Sequence, residues 1–439
     1  MSVLCSCVSR ARVGISPPDT VQASPIQSAS TIPLAPAESD HTSPSPALSP
    51  SEVIPASCPW CNMTEYQHEP QYYHIIVRIA VACKGATSVF LAKHRPTDTF
   101  VSIRRTNLDH FSLDYDIYTG LQHEIHMTRL FHHGHILPYH CTFVSGNELW
   151  IVAPFMSFGS CRDLINSHFT DGLGETTIAC ILRDVLLALD YIHKMGYVHR
   201  SVKGTHILIS ERGQVCLTGL RHSISMMGGG YCRWERVGSL HEYHCNSINT
   251  LPWFSPELLE QNLIGYDTST DIYSLGITAC ELANGIVPFS DMPATQMLLE
   301  KLNGTMPRLL DATTLPNVDD DALTSAGGDS GIGGSMATSS MMRSEQLPYQ
   351  RVFSPQFHEF VFLCLQREPA DRPTASQLLT HSFFKQVRRK SAENLIELLH
   401  PIKPLTETPH WPKDADGSIE NNIAKIEELD LKDEEEWDF

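Results

Sequence analysis

The chain of 439 residues has no apolar run long enough to cross a bilayer and no secretory apolar core near its start. Its thirteen cysteines fall into no framework of regular spacings, as in proteins of a reducing compartment, so the expected location is cytoplasmic and nuclear. One pair, in Cys58-Pro59-Trp60-Cys61, has redox or zinc-ligand spacing. No βαβ pattern follows it and no second Cys or His pair stands at zinc spacing, so two thiols in an unstructured segment are the alternative. Positive charge is scarce: 32 Lys and Arg against 50 Asp and Glu leave a formal charge of −18, which argues against a nucleic-acid role. Much of that acid lies after Asp414, so the folded part is less acidic than the total suggests.

Residues 1–70 also lack apolar periodicity and are rich in Ser and Pro, as in Thr42-Ser43-Pro44-Ser45-Pro46. They read as a disordered tail with Ser-Pro pairs as phosphorylation sites. Order is expected from Tyr72, with a first strand at Tyr73-His74-Ile75-Ile76-Val77. Ile178, Ile181, Leu182, Val185, Leu186, Leu189 and Ile192 recur at i, i+3, i+4, i+7 and predict one buried helical face. The Asp271–Ala283 stretch is apolar on nearly all sides, which predicts a helix at the centre of a core. Between 311 and 350 a Gly, Ser and Asp stretch reads as a flexible surface insert. Lys385, Arg388, Arg389 and Lys390 stand before Ser391. They read either as an import signal or basophilic kinase site, or as the solvated face of a terminal helix whose apolar side holds Leu395, Leu398 and Leu399.

The chemistry is concentrated in His199-Arg200-Ser201-Val202-Lys203-Gly204-Thr205-His206. This resembles a protein-kinase catalytic loop, where His-Arg-Asp is followed by Asn five residues after the Asp. Ser201 stands at the base position and His206 at the metal-binding Asn position. Gly219, in Leu217-Thr218-Gly219-Leu220-Arg221, stands where the Asp of Asp-Phe-Gly would hold magnesium. Phe100-Val101-Ser102-Ile103-Arg104 resembles the Val-Ala-Ile-Lys strand with Arg104 at the lysine. Glu124 follows among Ile117, Leu121, Ile125 and Leu130, at roughly helical spacing. Ser255-Pro256-Glu257, Asp271-Ile272-Tyr273-Ser274-Leu275-Gly276 and Arg372-Pro373 complete the frame in order. The implied fold is α+β: a bilobal protein-kinase fold at 72–384 with a small antiparallel β-rich lobe and a mainly helical lobe. Residues that brace such a fold are kept (His199, Arg200, Glu257, Asp271, Arg372). Those that carry phosphoryl transfer are replaced, and no nearby acid substitutes; Glu211, the closest, falls in the turn after the loop. A general base is worth about 10²–10⁴-fold and the metal several kcal/mol more. The reading is therefore a catalytically silent kinase fold. The alternative is a weakly active, atypical ATP-dependent serine/threonine kinase using Lys84 or Lys203 for phosphates.

ATP is the expected ligand, held without magnesium. The phosphate loop is Ile79-Ala80-Val81-Ala82-Cys83-Lys84-Gly85, with one glycine where three let backbone amides approach phosphates closely. Val89 and Ser102 would roof the adenine, Leu208 floor it and Met156 offer the hinge amide. Arg104, Lys203 and Arg221 would supply positive charge in place of a metal, and Lys84 would substitute for the strand lysine. Against this stands a purely structural reading in which Arg104 pairs with Glu124 and stiffens the small lobe. No structural metal is expected: His132, His133 and His135 look like a cluster but occupy the loop after the Glu124 helix, where packing is the better reading.

Tyr197-Val198-His199-Arg200-Ser201-Val202-Lys203, Leu217-Thr218-Gly219-Leu220-Arg221 and the run from Asp271 to Asn303 are similar to the sterile-20-related adaptor pseudokinases (STRAD), alpha-like in pattern. The resemblance covers about 72 to 390 and returns at the extreme C-terminus. It implies an adaptor that binds a liver kinase B-type serine/threonine kinase and holds it active. It further implies a trimer with a mouse-protein-25-type helical-repeat scaffold and retention of the client in the cytoplasm. The family binds ATP without transferring phosphate. This chain departs from it most in the phosphate loop, where the family has Gly-x-Gly.

The C-terminal part, 385–439, ends in Asp433-Glu434-Glu435-Glu436-Trp437-Asp438-Phe439. A block of like charge reads as a solvated tail. Two aromatics at i, i+2 suit a short docking peptide with a carboxylate rim. The family's Trp-Glu-Phe tail docks on the scaffold, so the resemblance implies that Trp437 and Phe439 are scaffold anchors. The segment from Arg221 to Trp253, with Tyr231, Trp234, His241, Tyr243 and His244, is the expected client surface. No nucleic-acid or membrane partner is expected.

Overall fold

The computed structural model describes residues 66–82, 85–109, 115–226, 250–260, 266–314, 351–387 and 391–407. The N-terminal Ser/Pro tail, the Cys58/Cys61 pair, Lys84, the aromatic stretch from Tyr231 to His244, most of the 311–350 insert, Arg388, Arg389, Lys390 and the Trp437/Phe439 anchors lie outside those residues.

The first strand begins where the sequence places it. β1 (Tyr73–Ala82), β2 (Thr87–His94), β3 (Thr99–Asn107), β4 (Cys141–Ser145) and β5 (Glu148–Pro154) form an antiparallel sheet in the order β1-β2-β3-β5-β4. Inward side chains such as Ala92, Val101, Ile103 and Val152 are wholly buried and make a small core with Tyr73, Phe143 and Trp150. Between β3 and β4 runs α1 (Tyr115–Leu130), which carries Glu124.

The second lobe is built around two buried helices. α2 (Cys161–His168) leads to α3 (Glu175–Lys194), and every residue of the predicted apolar face from Ile178 to Ile192 has no exposed surface. The short pairs β6 (Tyr197–Val198) with β9 (Ile224–Ser225), and β7 (Ile207–Ile209) with β8 (Val215–Leu217), carry the loops of the site. After α4 (Pro256–Leu259) comes α5 (Ser269–Asn284), buried from Thr270 to Ala283, as the all-round apolar pattern requires. α6 (Ala294–Leu302), α7 (Pro355–Cys364), α8 (Ala375–Leu378) and α9 (Ser391–Leu399) close the lobe. Among the described residues no helix is long and apolar enough to cross a membrane.

Three expectations are corrected. The insert does not begin at Asp311: that carboxylate accepts from Thr313 N, Phe353 N and His358 Nε2, fixing a turn through Thr314. Leu398 is not on the buried side of α9; it is 38% exposed, while Leu395 and Leu399, four residues apart, face the core. α9 starts at Ser391, so Lys385 is an exposed residue of the 3₁₀ stretch before it and not part of its solvated face.

Candidate functional site

The backbone of the loop before the site is fixed by one carboxylate. Asp271, fully buried on α5, accepts from the amides of His199 and Arg200, both at 2.8 Å, and from His193 Nε2 at 2.8 Å. Burial alone would raise its pKa, but the two imidazoles and the amides hold it below the usual carboxylate range. Arg200, at φ +63°, donates to Tyr266 Oη and the His222 carbonyl. Nearby, Arg372 grips Glu257 through two bonds of 2.7 and 2.9 Å. These are the bracing residues that the sequence singled out, and they occupy bracing positions.

Inside that frame the three altered positions have collapsed onto one another. His206, 3% exposed, donates from Nδ1 to the Ser201 carbonyl at 2.8 Å, which fixes its tautomer because a carbonyl only accepts. The Ser201 hydroxyl lies 3.1 Å from the same nitrogen. Gly219, at φ +83°, packs its α-carbon against the imidazole: a β-carbon there would lie 2.3 Å from Nδ1. The ring of His206 thus fills the space in which an aspartate at 219 would present its carboxylate. Glu211 lies in the exposed turn between β7 and β8 and brings no acid to the site.

Across the cleft, Arg104 on β3 meets Glu124 on α1 at 3.0 Å, and the Glu124 side chain is 4% exposed. Tyr139 joins them, accepting from Arg104 at 3.2 Å and donating to Glu124. Burial raises the Glu124 carboxyl, but Arg104, the Tyr139 hydroxyl and the nearby Arg221 outweigh it and leave the pKa below its ordinary value. On the same helix His123 donates to the Ser223 carbonyl at 2.7 Å, tying α1 to the stretch after Gly219. The structural reading of Arg104 is the one realised: its guanidinium braces α1.

Between the lobes lies a cavity of about 580 Å³. Val89, Ser102, Arg104, Met156 and Leu208 line it, as do His206 and Gly219. Ser102 also donates to the Ala153 and Pro154 carbonyls at 3.3 Å, fixing the start of the hinge. Lys203 and Arg221 are not among the lining residues. Lys203 is 3% exposed with its ammonium 5.9 Å above the Trp253 ring, near the buried Glu281, whose carboxyl burial raises in spite of Arg162, its hydrogen bonds and Lys203. Arg221 is near enough to Glu124 to help lower its carboxyl. The expected trio of cations in the cleft is therefore reduced to Arg104. Spacing alone does not say which way the loop lysine turns; a tryptophan and a glutamate distant in sequence decide it.

The cavity has apolar walls at Val89, Ala80 and Leu208 with Met156 at the hinge, a lining of the kind that suits a flat apolar ring such as adenine. A magnesium ion does not fit the donor set. Gly219 has no side-chain ligand atom, His206 offers only a nitrogen where magnesium takes oxygen, and Glu124 is engaged by Arg104 and Tyr139. Among the described residues no three His, Cys, Asp or Glu gather as a metal cluster. The histidines after α1 pack instead: His133 stacks on Tyr191 at 5.1 Å with its pKa lowered to about 4 by burial and by His135, which donates to the Val215 carbonyl.

Among the lining residues not read from the sequence are Tyr139, Ile402, Lys403 and Leu405. Tyr139 follows α1 in a loop without a distinctive pattern. Ile402, Lys403 and Leu405 belong to a stretch grouped with the tail, where the apolar residues alternating with Pro401 and Pro404 were the available signal.

A protein kinase domain matches residues 84–384. The STE20-related kinase adapter protein alpha of Bos taurus is 48% identical over 382 residues, 86% of this chain and 100% of its own length. The Homo sapiens protein of that name is also 48% identical, with 86% of each chain covered. The beta form of Mus musculus is 40% identical over 408 residues, 91% of this chain and 92% of its own. With its bracing network intact and its metal position filled by a histidine, the chain belongs to the STE20-related kinase adapter proteins, built on a protein kinase domain.

Proposed function

We propose that this protein is a catalytically inactive pseudokinase adaptor. It binds a liver kinase B-type serine/threonine kinase, activates it allosterically in a trimer with a mouse-protein-25-type scaffold, and retains it in the cytoplasm. The observation that carries the inactive half is the packing of His206 against Gly219, which leaves no carboxylate or amide oxygen of a side chain at either metal position. Positioning and charge neutralisation supply nearly all of phosphoryl transfer, so losing the base and both metal ligands removes the reaction. The adaptor half is supported by what is kept. The Arg104–Glu124–Tyr139 triad and the His123–Ser223 contact hold α1 inward with no phosphate or metal needed, so a client meets a preformed surface. Activation follows if the client's active state makes the better contacts with that surface, a coupling typically worth 5–150-fold. ATP, held at its adenine end by Val89, Ser102, Met156 and Leu208 without magnesium, would favour the same closed arrangement.

The test is reconstitution from purified components. Client activity on a peptide substrate should rise when both this chain and the scaffold are added. The double variant Trp437→Ala/Phe439→Ala should lose scaffold affinity while melting like the wild type. Undiminished scaffold affinity in that variant would remove the tail from the account. An unresponsive client would remove the adaptor reading itself.

A further inference from the structure

The C-terminal stretch crosses the mouth of the cleft. α9 is pinned to the helical lobe by Leu395 and Leu399, 1% and 0% exposed, and Ile402 continues that packing. The chain then turns toward the hinge, where the Leu405 amide donates to the Ser157 carbonyl at 2.9 Å. Ser157 is the residue after Met156 and is 1% exposed. Pro401 and Pro404 have no N–H to offer, so Leu405 is the first donor past the second proline. Ile402, Lys403 and Leu405 all line the cavity, facing α2 across its opening. Among the described residues, Lys403 is the only Lys or Arg of that lining apart from Arg104, which Glu124 engages. The hydroxyl of Ser157 is buried and has no hydrogen-bond partner among the described residues, so the hinge beneath the strap keeps one polar group unused.

We propose that residues 402–405 are a wall of the ligand site and act as its strap: a ligand enters and leaves at the hinge only when the Leu405–Ser157 hydrogen bond opens. The inference rests on the reading of the cavity as a site for an adenine nucleotide. It assigns the strap two tasks, shielding the adenine edge from water at Leu405 and bringing the Lys403 charge to an anionic ligand. Leu405 is itself 39% exposed, so the strap lies on the surface of the lobe and does not belong to its core. That places its opening among the low-stability local motions of a folded protein.

The experiment uses the full chain, a fluorescent ATP analogue in EDTA, and the variant Leu405→Pro, which deletes the N–H that donates to the Ser157 carbonyl. Losing one hydrogen bond is worth roughly 2–10-fold in an opening equilibrium. Association and dissociation rates should therefore both rise by about that factor while Tm stays within about 2 °C of wild type. Leu405→Ala, which keeps the N–H, should raise them less. Amide hydrogen exchange of the hinge peptide 153–160 supplies a second readout in the protein without ligand: it should speed up in Leu405→Pro, with α9 unchanged. Unchanged nucleotide rates together with unchanged hinge exchange overturn the strap. If the wild type binds no nucleotide, the nucleotide reading fails by itself. The exchange data then decide: faster hinge exchange in the variant upholds a strap over the cavity, and equal exchange removes it.

Discussion

Putting an aspartate back at position 219 is the obvious way to revive a metal site, and the structure predicts that it damages the fold. Three costs arise at once. The backbone there is left-handed at φ +83°, which costs a residue with a β-carbon about 1 kcal/mol. The new β-carbon would lie 2.3 Å from His206 Nδ1, and the next nearest atoms belong to the same ring. Relieving such overpacking in a close-packed interior costs about 1–3 kcal/mol. The ring cannot retreat without releasing its bond to the Ser201 carbonyl, which strands a buried donor at about 1 kcal/mol or more. Together these come to about 4 kcal/mol, or a fall of roughly 10 °C in Tm. The assay is calorimetry of Gly219→Asp, His206→Asn and the double variant. A shorter side chain at 206 should give back part of the loss, with a coupling above about 1 kcal/mol in the double-mutant cycle. A Gly219→Asp protein that melts like the wild type, or that gains magnesium-dependent stabilisation by ATP, would refute the reasoning.

Two further perturbations follow from buried charges away from the cleft. Lys301, 1% exposed, donates to the Pro252 and Phe254 carbonyls at 2.5 and 2.6 Å beneath Tyr273 and Phe289, and burial pulls its pKa well below the lysine range. Lys301→Met should strand those carbonyls and cost about 2–4 kcal/mol in urea unfolding, with exchange rising first at 251–254. Asp311 would be raised by burial, but its bonds to Thr313, Phe353 and His358 bring it down to about 2. With the folded pKa below the unfolded one, its contribution is complete above about pH 4 and is lost as the pH falls toward about 2. Asp311→Asn should thus be less stable than wild type at pH 7, with the gap closing between pH 4 and pH 2; a gap independent of pH would contradict the assignment.

What could be read from the sequence follows from the range of each interaction. The helical periods of α3 and α5 are local and strong, and both helices are buried as their patterns require. The replacements at Ser201, His206 and Gly219 were equally plain, because each stands at a fixed place in an ordered set of motifs. What the residues at those positions do was not legible: that the imidazole of His206 fills the space beside Gly219 is a matter of packing between residues thirteen positions apart. Lys203 was assigned to the cleft because its motif position suggested phosphate, whereas the Trp253 face and Glu281 draw it into the helical lobe. The strap escaped notice for a similar reason. Its tie to the hinge is a backbone hydrogen bond from Leu405 to a carbonyl far back in the chain, and no side-chain pattern encodes that.

The central claim is that the cleft has exchanged phosphoryl transfer for a fixed, partner-ready conformation. Its most direct test follows labelled γ-phosphate with the purified chain alone and then with client kinase and scaffold, each with magnesium and with EDTA. The account predicts no transfer by the chain alone under either condition, and magnesium-dependent transfer by the client that rises when the chain is present. Magnesium-dependent transfer by the chain alone, or a client whose rate ignores it, would contradict the account.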